Sequence, residues 1–69
     1  MKLHLYINGR KTEVQSSIQS VEDLLKFYKL QDRIVVVEQN GEIVLKEQYS
    51  KQLVNDGDKI EIVHFVGGG

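Results

Sequence analysis

The sequence predicts an α+β fold of two layers, in which one helix covers one face of a mixed sheet of four to five strands. Three observations carry that expectation. Apolar and polar residues alternate at both ends of the chain, two Asn-Gly pairs punctuate it, and a single segment has helical periodicity. A chain of 69 residues is about the smallest that buries a self-sufficient core. One domain over residues 1–66 and a flexible glycine tail at 67–69 are therefore expected.

The first strand runs from Lys2 to Ile7, with Leu3, Leu5 and Ile7 on one side and Lys2, His4 and Tyr6 on the other. Asn8-Gly9 supplies the two residues that best tolerate positive φ, which predicts a tight hairpin and a return strand over Arg10 to Val14. Ser20 and Asp23 have the spacing of a capping box, with Asp23 a shorter substitute for the usual Glu. They introduce Val21, Leu24, Leu25 and Tyr28 at i, i+3, i+4 and i+7, so the helix is placed at Val21 to Tyr28. Glu22, Asp23, Lys26 and Lys29 then read as a solvated helix face with charge pairs one turn apart.

Ile34 to Val37 is a continuous β-branched run, expected as a strand buried on both faces or covered by a partner on one of them. Asn40-Gly41 turns the chain into a short strand at Ile43 to Leu45. Lys46 to Gln52 has no readable period and is assigned to a short helical turn or an irregular crossover. Asn55-Asp56-Gly57-Asp58 is a dense turn signal before the last strand, where Ile60 and Ile62 alternate with Glu61 and Val63. If Leu3, Leu5, Ile7, Ile60 and Ile62 face the helix, Tyr6, Val63 and Phe65 point outward. They are joined there by Val35 and Val37 or by Ile34 and Val36. Such an outer face is more apolar than a free sheet face usually is, and with Val66 it forms a candidate docking surface.

Composition narrows the function. Ten acidic residues nearly balance nine basic ones, a formal charge of −1, which leaves no cationic excess for nucleic acid. The absence of cysteine excludes a disulfide framework, a thiolate zinc site and a nucleophilic thiol of the chain's own. The start has neither the apolar stretch of a signal peptide nor a membrane-spanning run, which makes a cytoplasmic protein without membrane contact the expectation. His4 and His64 could be neighbours if the first and last strands pair, but no third ligand joins them and no metal is expected. Asp56 and Asp58 flank Gly57 as turn formers rather than as an acid–base pair. A chain this short has little core to give up for a catalytic cleft, which favours a carrier or binding module over an enzyme.

Gly67, Gly68 and Gly69 follow the last strand. Glycines lose the most backbone entropy on ordering and bring no side chain to the core, so they are poorly suited to a stabilising role. They do form a thin thread that reaches roughly 10 Å at about 3.3–3.6 Å per residue, past walls too close for a Cβ atom. The α-carboxylate of Gly69, with a reference pKa of about 3.3–3.7, is ionised at neutral pH and able to attack phosphorus. Attack on the α-phosphate of ATP would release pyrophosphate and give an acyl-adenylate. Displacement by a sulfur nucleophile would then leave a C-terminal thiocarboxylate.

The order hairpin, helix, further strands and a final strand ending in glycines resembles the β-grasp fold of ubiquitin-like proteins. Within that group, residues 35–44 (Val-Val-Val-Glu-Gln-Asn-Gly-Glu-Ile-Val), Tyr49, residues 56–62 (Asp-Gly-Asp-Lys-Ile-Glu-Ile) and the ending at 63–69 are similar to the ThiS family of sulfur carriers in thiamine biosynthesis. The resemblance implies a sheet in the order 2-1-5-3-4 with the first and last strands central and parallel. It also implies that a ThiF-like adenylyltransferase activates Gly69, that a cysteine desulfurase or other donor supplies sulfur, and that a ThiG-like thiazole synthase receives it. Gly68 and Gly69 match the family's terminal pair. Leu45-Lys46 stands where many members have Pro-Arg, and Tyr49 where many have tryptophan; both differences lie away from the reactive end. Three alternatives keep the same fold: a carrier like the molybdopterin-synthase small subunit, a ubiquitin-like modifier joined to lysines through Gly69, and an interaction domain with an inert tail.

Overall fold

The computed structural model describes residues 2–65. The elements in chain order are β1 (Lys2–Ile7), β2 (Arg10–Gln15), α1 (Val21–Phe27), β3 (Val35–Gln39), β4 (Glu42–Val44), a 3-10 turn (Lys46–Gln48) and β5 (Lys59–His64). The five strands form one sheet in the order β2-β1-β5-β3-β4, with β1 and β5 parallel and the other pairings antiparallel. Helix α1 covers one face, as the period-2 and period-3.6 patterns require.

Local chemistry fixes each reversal. Asn8 (φ 51°) and Gly9 (φ 83°) both take positive φ, and so do Asn40 (φ 52°) and Gly41 (φ 86°). Left-handed pairs of this kind match the twist of the strands they join, and Asn-Gly adopts them at the lowest steric cost. At the helix start the capping box forms in full: the Asp23 N–H donates to Ser20 Oγ (3.1 Å), and Asp23 Oδ2 accepts from the Ser20 N–H (3.3 Å). The same Oδ2 accepts the Gln19 N–H at 3.1 Å. The bond to Gln19, with those to Ser20, outweighs burial and holds the Asp23 carboxyl below its ordinary range.

Two details of the expected helix face change. Asp23 turns back onto the cap instead of pairing along the helix, and Lys29, at φ 59°, lies past the helix end at Phe27. Lys26 and Glu22 do approach each other, at 3.9 Å. The helix is one residue shorter than expected, with Tyr28 as its C-cap.

Leu5, Leu24, Ile60, Val21 and Val37 are the largest fully buried side chains, and Ile7, Val14, Leu25, Val44, Val54 and Ile62 complete most of the core around them. The β-branched run is not buried on both faces. Val37 is fully buried and Val35 packs partly against the core, whereas Ile34 and Val36 are exposed. Among the described residues one α-helix covers the sheet, so the alternation of a half-buried strand prevails over the apolar run. The strand also extends through Gln39, because the Gln39 side chain is buried and satisfied rather than left at the surface.

A carboxylate and a set of amides tie the crossover to the sheet. Asp58 Oδ2 accepts from Gln39 Nε2 (2.7 Å) and the Asn55 N–H (2.8 Å), and Oδ1 accepts from Asn40 Nδ2 (3.0 Å). Gln52 Nε2 donates to Gln39 Oε1 at 2.7 Å, and Asn40 Oδ1 accepts the Lys59 N–H at 2.9 Å. Burial alone would push the Asp58 carboxyl up, but these bonds outweigh it and hold the group below the ordinary carboxylate range.

Candidate functional site

The part of the molecule that leads to the C-terminus is the second half of β5, and three interactions fix it. Main-chain pairing with β3 continues to the end of the strand, where His64 lies opposite Val35 and the Phe65 N–H donates to the Ile34 carbonyl at 3.1 Å. On the other side, main-chain register with β1 is limited to Tyr6–Lys59 and Ile7–Ile60, because β1 turns away at Asn8. The Asn8 side chain takes over there. Its Oδ1 accepts the Ile62 N–H (2.8 Å) and its Nδ2 donates to the Ile62 carbonyl (3.1 Å), so a side-chain amide replaces the missing peptide group.

The register sorts the outer sheet face into bands. Nearest the start of β5, Tyr6 lies opposite Lys11 on one side and Lys59 on the other. In the next band Glu61 is opposite Glu38, which is itself opposite Ile43. Val63 is then opposite Val36, and Phe65 is bonded to Ile34 at the margin. Val63 and Phe65 are each 56% exposed and Ile34 75%. Four adjacent apolar side chains therefore meet solvent beside the point where the chain continues to residue 66.

Of the residues singled out in the sequence, Val63 and Phe65 come together in this patch, joined by Ile34 and Val36 of the two pairs left open. Tyr6 shares the face but not the patch, since the Glu38–Glu61 band separates it from Val63. Val66, Gly67, Gly68 and Gly69 lie outside the described residues. Ile43, exposed at the margin of the face, and the two glutamates gave no separate signal in the sequence. Strand parity combined with register identifies them, and register follows only once β3 is paired with β5.

His4 and His64 do not meet. The Gly57 N–H donates to the His4 carbonyl at 2.7 Å, which places His4 seven residues before His64 along β5, roughly 23 Å at about 3.3 Å per residue. His4 instead stands between carboxylates, with Nε2 3.1 Å from Glu13 and Nδ1 3.6 Å from Asp56. The Lys2 ammonium, bonded to Glu13 at 3.3 Å, is the main influence holding the Glu13 carboxyl below its ordinary range. Among the described residues no group of three or more His, Cys, Asp or Glu side chains is arranged to hold a metal ion. Asp56 and Asp58 play separate parts: Asp56 Oδ1 accepts the His4 N–H at 2.7 Å, and Asp58 belongs to the amide network.

The open hollows among the described residues include two of about 390 and 430 Å3. The first is lined by the residues of the Asp58 network, whose buried polar atoms are all satisfied. The second lies between Leu25, Leu30, Ile34, Val35 and Tyr49. No helix among the described residues is long and apolar enough to cross a membrane.

Comparison with known proteins agrees with this architecture along its length. The family model of the ThiS family matches residues 5–69. The chain is 46% identical over 65 residues to the sulfur carrier protein ThiS of Bacillus subtilis (strain 168), covering 94% of this chain and 98% of that protein. It is 48% identical over 67 residues to a thiazole synthase of Paramagnetospirillum magneticum, a match that takes in 97% of this chain but only 20% of the longer protein. The crystal structure of the thiamine biosynthesis protein ThiS from Geobacter metallireducens superposes with a TM-score of 0.81 at 36% identity, covering 97% of this chain and all of that one. A β-grasp sheet ordered 2-1-5-3-4 on a single helix, with a family match that runs to the last residue, shows that the chain belongs to the ThiS family.

Proposed function

We propose that this chain is a sulfur carrier of thiamine biosynthesis whose working group is the α-carboxylate of Gly69. The observation that carries the proposal is the family match ending on Gly69, combined with a fold that anchors the strand before it on both sides. Support up to Phe65 followed by Val66 and three glycines is the construction expected of a group that must enter a narrow active site in another protein.

In this reading, a carboxylate oxygen of Gly69 attacks the α-phosphorus of ATP within a ThiF-like adenylyltransferase. Pyrophosphate leaves and an acyl-adenylate remains. Hydrosulfide, released when a thiol reduces the persulfide of a cysteine desulfurase or supplied by another donor, attacks the carbonyl carbon and expels AMP. The resulting thiocarboxylate delivers its sulfur to a ThiG-like thiazole synthase. The chain is a co-substrate of these enzymes rather than an enzyme, holds no cofactor permanently, and works in the cytoplasm, where ATP and reduced sulfur are available. Gly67 and Gly68 supply reach, and Val63, Phe65, Val66 and Tyr6 contribute to docking. Thiazole synthase is favoured over molybdopterin synthase as the acceptor because close relatives of this chain form one-fifth of longer thiazole synthases.

The test is adenylate formation followed as pyrophosphate release, with the full chain compared to one lacking Gly68 and Gly69. Release with the full chain and none with the shortened one is expected. Equal release from both would place the reacting group elsewhere.

A further inference from the structure

Glu38 and Glu61 are directly opposite each other on antiparallel strands, on the outer face of the sheet, with the apolar Val36–Val63 pair on one side and Tyr6 on the other. Like charges in this position oppose strand pairing. Neither carboxylate enters an ion pair or a hydrogen bond among the described residues, and residues 66–69 bring no cationic side chain. Lys59, the nearest cation along β5 on this face, is two residues from Glu61, about 6.6 Å of strand, and its ammonium is not within ion-pairing distance. The other charges of the region are handled differently: Glu13 has Lys2 and His4, and Asp58 has three donors.

We infer that the Glu38–Glu61 pair, with the adjoining Ile34, Val36, Val63 and Phe65, forms a docking face for a thiazole synthase surface that presents an arginine or lysine flanked by apolar side chains. This assignment rests on the sulfur-carrier reading. A guanidinium between two carboxylates satisfies both through its planar donor fork and turns a repulsive pair into an attractive one. The apolar band supplies the area, and the acidic pair supplies the register. Phe65 ends the patch, so a partner seated on it also stands where the chain continues toward Gly69. Thiazole synthase is the occupant because proteins that contain a segment like this chain bear that name, which places a ThiS-like domain and a synthase in one polypeptide.

The test measures binding of the intact chain to the separately purified thiazole synthase of the same organism, at two salt concentrations, for the wild type and for E38Q/E61Q. The double variant should bind about tenfold or more weakly with a shallower dependence on salt, as expected when charges leave an interface. Its thermal midpoint should be equal or higher, because the repulsion inside the sheet is gone. Weaker binding together with a lower midpoint would mean a disturbed fold and would overturn the assignment. So would unchanged binding, or a loss seen only toward the adenylyltransferase. Failure of the wild type to bind any thiazole synthase, while still being adenylated, would remove the carrier reading's acceptor and this inference with it.

Discussion

Replacing Asp58 by Asn tests how the sheet is held closed at the start of the strand that leads to the C-terminus. The two side chains have the same shape, but Asp58 uses both oxygens as acceptors, Oδ2 for Gln39 and Asn55 and Oδ1 for Asn40. An amide keeps one acceptor. If its oxygen stays with Gln39 and Asn55, its NH2 faces the Asn40 NH2, donor against donor. Asn40 cannot turn over to relieve this, because its own Oδ1 accepts the Lys59 N–H. One charge-assisted bond is lost, at about 1.5–3 kcal/mol, and the two that survive fall to neutral strength, so the total cost is about 2–4 kcal/mol. For a chain of 69 residues, with a total stability of about 3–10 kcal/mol, that is a large share. At about 4–8 °C per kcal/mol the thermal midpoint should fall by at least about 8 °C.

The same residue makes a prediction about acid. The folded-state pKa of Asp58 lies below its unfolded value, so the stability it contributes is complete above the unfolded pKa of about 3.9 and is lost as pH falls through the folded value. Urea unfolding between pH 7 and pH 2 should therefore show a steeper acid decline for the wild type than for Asp58→Asn. A variant within about 0.5 kcal/mol of the wild type, or two identical acid slopes, would refute the assignment of the network as the closure.

Other perturbations address the remaining supports. Asn8→Gly keeps a residue that accepts φ 51° but removes both side-chain bonds to Ile62; a loss of about 1–2 kcal/mol in urea unfolding is expected, with faster hydrogen exchange at the Ile62 amide, and protection equal to the wild type would contradict the role of the amide. Ser20→Ala removes the bond to the Asp23 N–H and should cost about 0.5–2 kcal/mol, read as a shift in the urea midpoint with an unchanged slope. One alanine appended after Gly69 preserves a free carboxylate but adds a Cβ at the tip; the fold should be unaffected by circular dichroism while pyrophosphate release is abolished, and normal release would count against a narrow channel.

Much of the fold can be read from individual residues. The two Asn-Gly pairs define hairpins by their own conformational preference, and Ser20 with Asp23 marks the helix start through bonds between neighbours in sequence. Features that depend on distant residues were not legible. Asn8 reads as a turn residue, yet its amide also serves β5, a use that appears only when residues 8 and 62 are adjacent. Asp58 reads as a turn former, and nothing local announces that Gln39, Asn40 and Gln52 converge on the same network. The choice between Ile34 with Val36 and Val35 with Val37 needed the register against β5, because an unbroken apolar run has no parity of its own. The candidate site divides in the same way: the glycine ending is visible in the chain, whereas the Glu38–Glu61 pair exists only across strands.

The central claim is that sulfur is loaded onto the last atom group of the chain. Intact-mass analysis after incubation with ATP, the adenylyltransferase and a sulfide source tests it most directly, followed by fragmentation to locate the change. A mass gain equal to replacing one oxygen by sulfur, confined to Gly69, is the predicted result. An unchanged mass, or sulfur located on any other residue, would contradict it.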